Sequence, residues 1–145
     1  GYMSYQIKRS ARFTDELQLV SDSGESMIVV PVDLDIDRIA QDVYKRYFDM
    51  VHAQQELQKM QPTAHPETAA AQLEKLGGTI ISLFTLLFGE KNTAQILDFF
   101  EGNYTEMMAQ TYPYLIEVII PEIRKRADAR KKEMLAKRRG GLWRR

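Results

Sequence analysis

The chain has 145 residues, enough for one domain with a single hydrophobic core and too few for two. Its 20 basic and 20 acidic residues cancel, which argues against a strongly basic nucleic-acid-binding protein or an acidic tail protein. The charges are nevertheless divided, because residues 1–120 hold 9 basic and 17 acidic residues, while residues 121–145 hold 11 basic and 3 acidic. We therefore expect an acidic body with a basic C-terminal end.

The cysteine count is zero, which excludes disulfides, thiolate nucleophiles and cysteine-built zinc sites. The longest nearly apolar run, residues 79–88, is shorter than the roughly 20 residues that a membrane-spanning helix needs. The first residues also lack the charged-then-apolar pattern of a signal peptide. We therefore expect a cytoplasmic protein with no membrane contact.

Residues 4–32 are predicted to form a β-hairpin or a small antiparallel sheet. Leu17 and Leu19 alternate with polar residues, residues 27–30 are apolar and mostly β-branched, and Gly24 lies in a turn-forming segment between them. An isolated hairpin is only marginally stable in water, so residues 4–8 are a candidate third strand.

From residue 35 the apolar period changes from about 2 to about 3.6, which predicts about five helices. The first is expected to begin at a cap from Asp33 or Asp35. Its predicted buried stripe consists of Ile36, Ile39, Ala40, Val43, Tyr44, Tyr47, Phe48, Val51 and Leu57. The predicted helices run from residue 35 to the proline-rich segment 61–66, over 66–88, over 93–101, over 104–111, and from Pro113 onward with a kink or break at Pro121.

Several residues predict how these helices begin, end and pack. Asn92 and Asn103 each stand three residues before Gln or Glu, a pattern typical of an N-cap, and Gly102 is a candidate C-cap. The second half of helix 66–88 is apolar nearly all round, which predicts a central position or a contact with a second chain. The pair 77–78 consists of two glycines and predicts a kink or a close approach of another backbone.

The predicted fold class is α+β, predominantly α-helical. Residues 1–127 are expected to form one folded domain, with a β-hairpin region at 4–32 and a helical region at 35–127. Residues 128–145 are expected to form a basic arm that is helical or disordered, because they carry little apolar surface. The glycine pair at 140–141 is expected to end any helix there.

No catalytic, cofactor-binding or metal-binding residue is predicted. Residues 33–37 begin like a calcium loop, but Arg38 and Tyr44 stand where the loop requires Gly and Glu, so helix capping explains these aspartates better. His52 and His65 lack the spacing of a metal site or of a catalytic group, and His65 is expected to be solvated. We therefore expect a protein that is not an enzyme.

The basic residues after position 121 have two interpretations. Lys and Arg side chains together with Trp143 could neutralise phosphates and stack on a base, as in a nucleic-acid-binding protein. The same residues suit a solvated helix end, where cations complement the negative end of the helix dipole. We favour the second interpretation, with an acidic protein surface, including that of a neighbouring copy, as the partner.

Three segments carry a resemblance to a known family: residues 87–90 (LFGE), 96–104 (ILDFFEGNY) and 112–121 (YPYLIEVIIP). In these segments the chain resembles the tail assembly chaperones of long-tailed phages and prophages of Gram-positive bacteria. The similarity is good over about residues 80–125 and looser elsewhere. It lies in packing residues, and no binding residue of the family is transferred to a position of this chain.

The resemblance implies a viral protein of the bacterial host cytoplasm that binds the helix-rich tape-measure protein, shields its apolar segments and helps to recruit tail-tube subunits. It also implies self-association, and a longer product made by a programmed frameshift. Candidate interaction residues on the apolar helix faces are Phe84, Leu87, Phe88, Tyr112, Tyr114, Ile116 and Ile120. The alternatives are a small nucleic-acid-binding protein and a generic oligomeric helical scaffold.

Overall fold

A computed structural model describes residues 4–143 of the chain, and the side chains of residues 4–138. Over this range the protein is mostly helical and carries an N-terminal antiparallel pair of strands, as predicted. In chain order the elements are β1 (Phe13–Val20), β2 (Met27–Leu34), α1 (Ile36–Gln58), α2 (Pro66–Phe99), α3 (Tyr104–Tyr114), a π-helical segment (Leu115–Ile119) and α4 (Ile120–Trp143). The last three are continuous and are called the C-terminal helix, residues 104–143. The described part therefore contains three helices, so the prediction of about five is wrong.

The two strands form a hairpin in which Phe13 pairs with Leu34 and Val20 pairs with Met27. Alternate side chains point inward, as the sequence pattern predicts, and Val30 and Val32 are fully buried. Gly24 adopts φ 76° in the connecting turn. The third strand proposed for residues 4–8 is absent from the described structure, and the helices cover the inner face of the hairpin instead.

The start of α1 is held by ion pairs and not by the predicted side-chain cap. Asp35 occupies the N-cap position, but its carboxylate makes no capping hydrogen bond. The three aspartates of this segment face arginines instead. The pairs are Asp33 with Arg12 at 2.6 Å, Asp35 with Arg9 at 3.6 Å, and Asp37 with Arg130.

The helix α2 joins two segments that the sequence predicts as separate helices. Gly89 lies at the junction with φ 82° and ψ 166°, so the expected interruption before Gly89 is present as a kink within one assigned helix. These dihedrals are accessible essentially to glycine alone. The Asn92 amide donates a hydrogen bond to the Phe88 carbonyl at 3.1 Å, so Asn92 closes the preceding turn and does not act as the predicted N-cap.

The predicted boundary between α2 and α3 is confirmed. Glu101 adopts a left-handed φ of 54°, and Gly102 then bonds back to the Leu97 carbonyl, as in a Schellman motif. The Asn103 side chain accepts a hydrogen bond from the Glu106 amide at 3.1 Å, which caps α3 as predicted.

The C-terminal helix passes through both of its prolines, so the predicted start at Pro113 is wrong and, of the kink or break expected at Pro121, the break does not occur. The backbone adapts by forming the π-helical segment between the two prolines. A π turn is wider than an α turn, and this widening accommodates the missing amide hydrogen and the ring of Pro121. The same helix crosses position 127 and continues through the glycines at 140–141, which were expected to end it.

One hydrophobic core contains inward side chains from the hairpin and from all three helices. Leu76, Ile80 and Leu83 are almost completely buried, which agrees with the central position predicted for this part of α2. A Cβ atom on Gly77 would overlap the ring of Tyr104, so a close approach does occur at the glycine pair, although a side chain and not a backbone makes it.

Candidate protein-interaction surface

The seven predicted interaction residues do not form one exposed surface. Phe84, Leu87, Phe88 and Ile120 are buried in the folded chain. The rings of Phe84 and Phe88 pack edge to face with centroids 5.4 Å apart, a typical core arrangement. In this conformation these four side chains stabilise the protein's own core and are not offered to a partner.

Tyr112 and Ile116 are the predicted interaction residues that the structure exposes, at 37% and 38%. They stand one turn apart on the C-terminal helix. Tyr114 is half-buried, and its hydroxyl donates a hydrogen bond to the Asp15 carboxylate at 2.9 Å. Burial and this bond to Asp15 raise the pKa of Tyr114. Tyr114 therefore holds the C-terminal helix against β1.

Aromatic side chains of α1 extend the exposed surface around Tyr112. The Tyr47 ring stacks on Tyr112 with centroids 6.4 Å apart, and it contacts the Phe48 ring at 5.7 Å. The Tyr44 ring also stacks on Phe48, with centroids 6.4 Å apart. We call these residues, together with Ile116, the aromatic patch: Tyr44, Tyr47, Phe48, Tyr112 and Ile116.

The hydroxyl groups of Tyr47 and Tyr112 lie 3.2 Å apart and share a hydrogen bond across the two helices. This bond, with a smaller effect of burial, raises the pKa of Tyr47 to about 12. The neutral hydroxyl is therefore the form that the folded protein favours. The pair links α1 to the C-terminal helix next to Phe48.

Phe48 is the exposed centre of this patch, at 60%, although the sequence analysis placed it on the buried stripe of α1. A helical wheel explains the error. At 100° per residue, Phe48 lies about 140° from Val43, which is fully buried, and therefore falls on the opposite side of the helix. A narrower stripe through Ile36, Ile39, Val43 and Met50 reproduces the buried face.

A second surface feature is a cleft of about 740 Å³ between β1, the end of α2 and α3. Its acidic members are Asp22, Glu101 and Glu106, and no basic side chain lines it among the residues that the structure describes. Leu17, Phe99 and Tyr114 contribute half-buried apolar surface. We call this feature the acidic cleft. The full lining is Leu17, Gln18, Leu19, Val20, Ser21, Asp22, Phe99, Phe100, Glu101, Glu106, Gln110, Thr111 and Tyr114.

Both histidines are exposed and contact neighbouring groups of the same helix. The His65 ring, expected to be solvated, is exposed and also caps α2, accepting a hydrogen bond from the Glu67 amide at 3.3 Å. His52 lies 3.8 Å from Glu56 on the exposed side of α1. Within residues 4–143, no group of three or more His, Cys, Asp or Glu side chains could hold a metal ion. None of the helices in that range is long and apolar enough to cross a membrane.

The fold and these surfaces define a mainly helical α+β protein with an aromatic patch on one side and an acidic cleft at one end. No family model, no curated protein and no solved structure matches the chain. The functional argument therefore depends on the chain's own surfaces and on the resemblance described above.

Proposed function

We propose that this protein is a non-enzymatic tail assembly chaperone of a long-tailed phage or prophage, acting in the cytoplasm of the bacterial host. In this role it binds apolar helical segments of the tape-measure protein, keeps them from aggregating and helps to recruit tail-tube subunits. The aromatic patch is the observation that carries the proposal. It places the exposed side chains of Phe48 on α1 and of Tyr112 on the C-terminal helix on either side of the Tyr47 ring, which contacts both.

The chemistry of the patch suits a helical client. Phe48 and Ile116 offer apolar area, while Tyr47 and Tyr112 add rings whose hydroxyl groups remain hydrogen-bonded. An amphipathic helix can lay its apolar face on such a surface, because aromatic rings bury a large area at a small cost in side-chain entropy. A tape-measure protein, which is long and rich in helices, offers repeated faces of this kind.

Coexpression tests the proposal. The wild-type chain should keep a fragment of the cognate tape-measure protein in the soluble fraction, whereas Phe48→Ser combined with Tyr112→Ser should lose most of this effect. The matched control is Leu73→Ser, which removes a 40% exposed leucine from α2, outside the patch. Equal aggregation of the fragment with and without the wild-type chain would rule the proposal out.

A second candidate function, nucleic-acid binding, is favoured by one observation. The side chains of residues 127–138 are all exposed and include Arg130, Lys131, Lys132, Lys137 and Arg138. The proposed stacking of Trp143 on a base, and any role of Arg144 and Arg145, lie outside the residues whose side chains are described. Binding through phosphates should weaken linearly with salt on logarithmic axes. Absence of binding to duplex and single-stranded DNA and RNA at low salt would remove this candidate.

A further inference from the structure

The C-terminal helix carries the acidic cleft at one end and a basic segment at the other. Glu106 and Gln110, near its start, line the cleft beside the hairpin turn. Tyr114 reaches Asp15 in β1, and Arg126 donates a hydrogen bond to the carbonyl of residue 11, which precedes β1. The helix therefore runs antiparallel to β1 and continues past the beginning of that strand.

The last residue of this helix seen to contact the body is Arg130, which pairs with Asp37 at the start of α1. The side chains of residues 131–138 are all exposed. We call residues 131–143 the arm. Since the arm helix begins about 20 residues beyond the cleft-lining Gln110, the middle of the arm lies about 40 Å from the cleft along the helix axis. The arm cannot reach the cleft of its own chain while this helix is continuous.

The arm carries a stripe that suits docking of a helix into a groove. Lys131, Met134, Leu135 and Arg138 are spaced at i, i+3, i+4 and i+7, so they share one face of α4. Met134 is 61% exposed and Leu135 is 45% exposed, so both offer apolar surface to a partner. The face is therefore apolar at its centre and basic at both ends.

The length and the net positive charge of the arm favour contact with an acidic surface. A helix of 13 residues is marginally stable in water on its own, and this one carries five basic residues against one acidic residue. Within the arm, Lys137 pairs with Glu133 at 3.5 Å, but both side chains are more than two-thirds exposed, so this ion pair contributes little. An acidic partner surface would stabilise the arm helix.

The acidic cleft has the complementary character. Asp22, Glu101 and Glu106 supply negative charge, and Leu17 and Phe99 supply apolar surface in the same cleft. We propose that the arm of one copy docks in the acidic cleft of a second copy. Lys131 and Arg138 then face the carboxylates of the cleft, while Met134 and Leu135 cover its apolar part. This inference does not depend on the identity of any client.

Because the two contacting surfaces differ, the interface is head to tail. A pair of copies leaves one cleft and one arm open, so further copies add in a row unless the row closes into a ring. Association should weaken with salt, because the charged groups are exposed and the Debye length falls from about 30 Å at 0.01 M to about 3 Å at 1 M.

Charge reversal tests the interface. A cleft variant carries Asp22→Lys and Glu101→Lys, an arm variant carries Lys131→Glu and Arg138→Glu, and the control carries Asp42→Lys and Glu74→Lys, two exposed sites outside the cleft. In sedimentation velocity at low salt, the wild type and the control should associate as concentration rises. Each interface variant alone should associate at least about tenfold more weakly.

Mixing the two interface variants separates a lost contact from a damaged fold. A positive cleft then meets a negative arm, so the mixture should recover association that neither variant shows alone. The proposal is overturned if the wild type remains monomeric throughout the concentration series at low salt. It is also overturned if the cleft variant associates like the wild type, or if the mixture remains dissociated.

Discussion

At the contact between α2 and α3, Gly77 allows the Tyr104 ring to lie directly on the helix backbone. The neighbouring Gly78 faces open space, with no atom within 4 Å of a Cβ built there. The two glycines are therefore equivalent in sequence but opposite in packing. The sequence predicts a kink or a close approach at this pair, but it does not indicate which glycine is in contact. That depends on the direction from which α3 returns to α2.

Alanine substitution should distinguish the two glycines. Gly77→Ala should lower the free energy of unfolding by about 1 to 3 kcal/mol, because the new methyl group overlaps the Tyr104 ring. Gly78→Ala should raise it by about 0.5 to 1 kcal/mol, because alanine favours the helix and meets no neighbour. Urea denaturation of both variants measures the difference. Equal effects of the two substitutions would contradict the packing described here.

The hydroxyl pair of the aromatic patch predicts a pH dependence. The pKa of Tyr47 is raised to about 12 from an ordinary value of 10.0, so folding favours the neutral hydroxyl. The stability that this group contributes is therefore fully present below pH 10 and is lost as the pH rises through about 12.

Ultraviolet titration of tyrosinate measures this shift. Tyr112→Phe should lower the pKa of Tyr47 toward its ordinary value of 10.0, because the hydrogen bond that favours the neutral hydroxyl is removed. The control Tyr5→Phe changes a tyrosine that is 86% exposed and should leave the pKa of Tyr47 unchanged. If Tyr112→Phe gave the same late titration as the wild type, the two hydroxyl groups would not be paired in solution.

Among the elements, the hairpin, α1 and the α2–α3 boundary follow from local signals: alternating apolar residues, a 3.6-residue period, and Gly102 with Asn103. The number of helices does not follow from such signals. The chain forms a kink at Gly89 and a π-helical segment before Pro121, so one assigned helix continues past each of these residues. The sequence does not reveal this continuation. A breaker residue thus predicts a local irregularity but does not show whether the helix stops.

Gly89 should tolerate no side chain without a cost. Gly89→Ala should destabilise the protein by about 1 to 3 kcal/mol, because φ 82° with ψ 166° is strained for every residue with a Cβ atom. The new methyl group has no atom within 4 Å, so the effect comes from the backbone alone. Chemical denaturation checks the value, and Gly78→Ala is the control. A neutral result for Gly89→Ala would show that α2 is straight in solution.

In the candidate interaction surface, sequence reasoning found Tyr112 and Ile116 but not their neighbours on α1. Aromatic residues at helical spacing are usually buried, and the sequence does not show which helix covers which face. Phe84 and Phe88 satisfy the same pattern as Phe48, yet they are buried and Phe48 is exposed. The acidic cleft was not predicted either, because Asp22 and Glu101 are 79 residues apart in the chain and meet only through the return of α3 beside β1.

At the scale of the whole molecule, the C-terminal helix still contacts the rest of the chain beyond residue 127, where the sequence analysis expects the folded domain to end. Arg126 contacts the N-terminal segment and Arg130 contacts α1. These are the contacts that a C-terminal truncation can remove.

Truncation after Arg130 should change the free energy of unfolding by no more than about 0.5 kcal/mol, because both contacts remain. Truncation after Lys125 also removes these contacts and should cost about 1 kcal/mol or more. Thermal and urea unfolding compare the two. A large loss on removing only residues 131–145 would show that the arm stabilises the monomer.

The π-helical segment also sets the rotation of the arm, about the helix axis, relative to the cleft-lining part of the C-terminal helix. It lies between the cleft-lining part of the C-terminal helix and the arm. Converting Leu115–Ile119 from π to α geometry, with no residue removed, would turn everything beyond it about the helix axis, because each residue of the wider π turn rotates by less than the 100° of an α-helix. In a row of copies joined arm to cleft, that rotation would change the twist from each copy to the next. Five residues between two prolines would thus determine the pitch of the whole assembly.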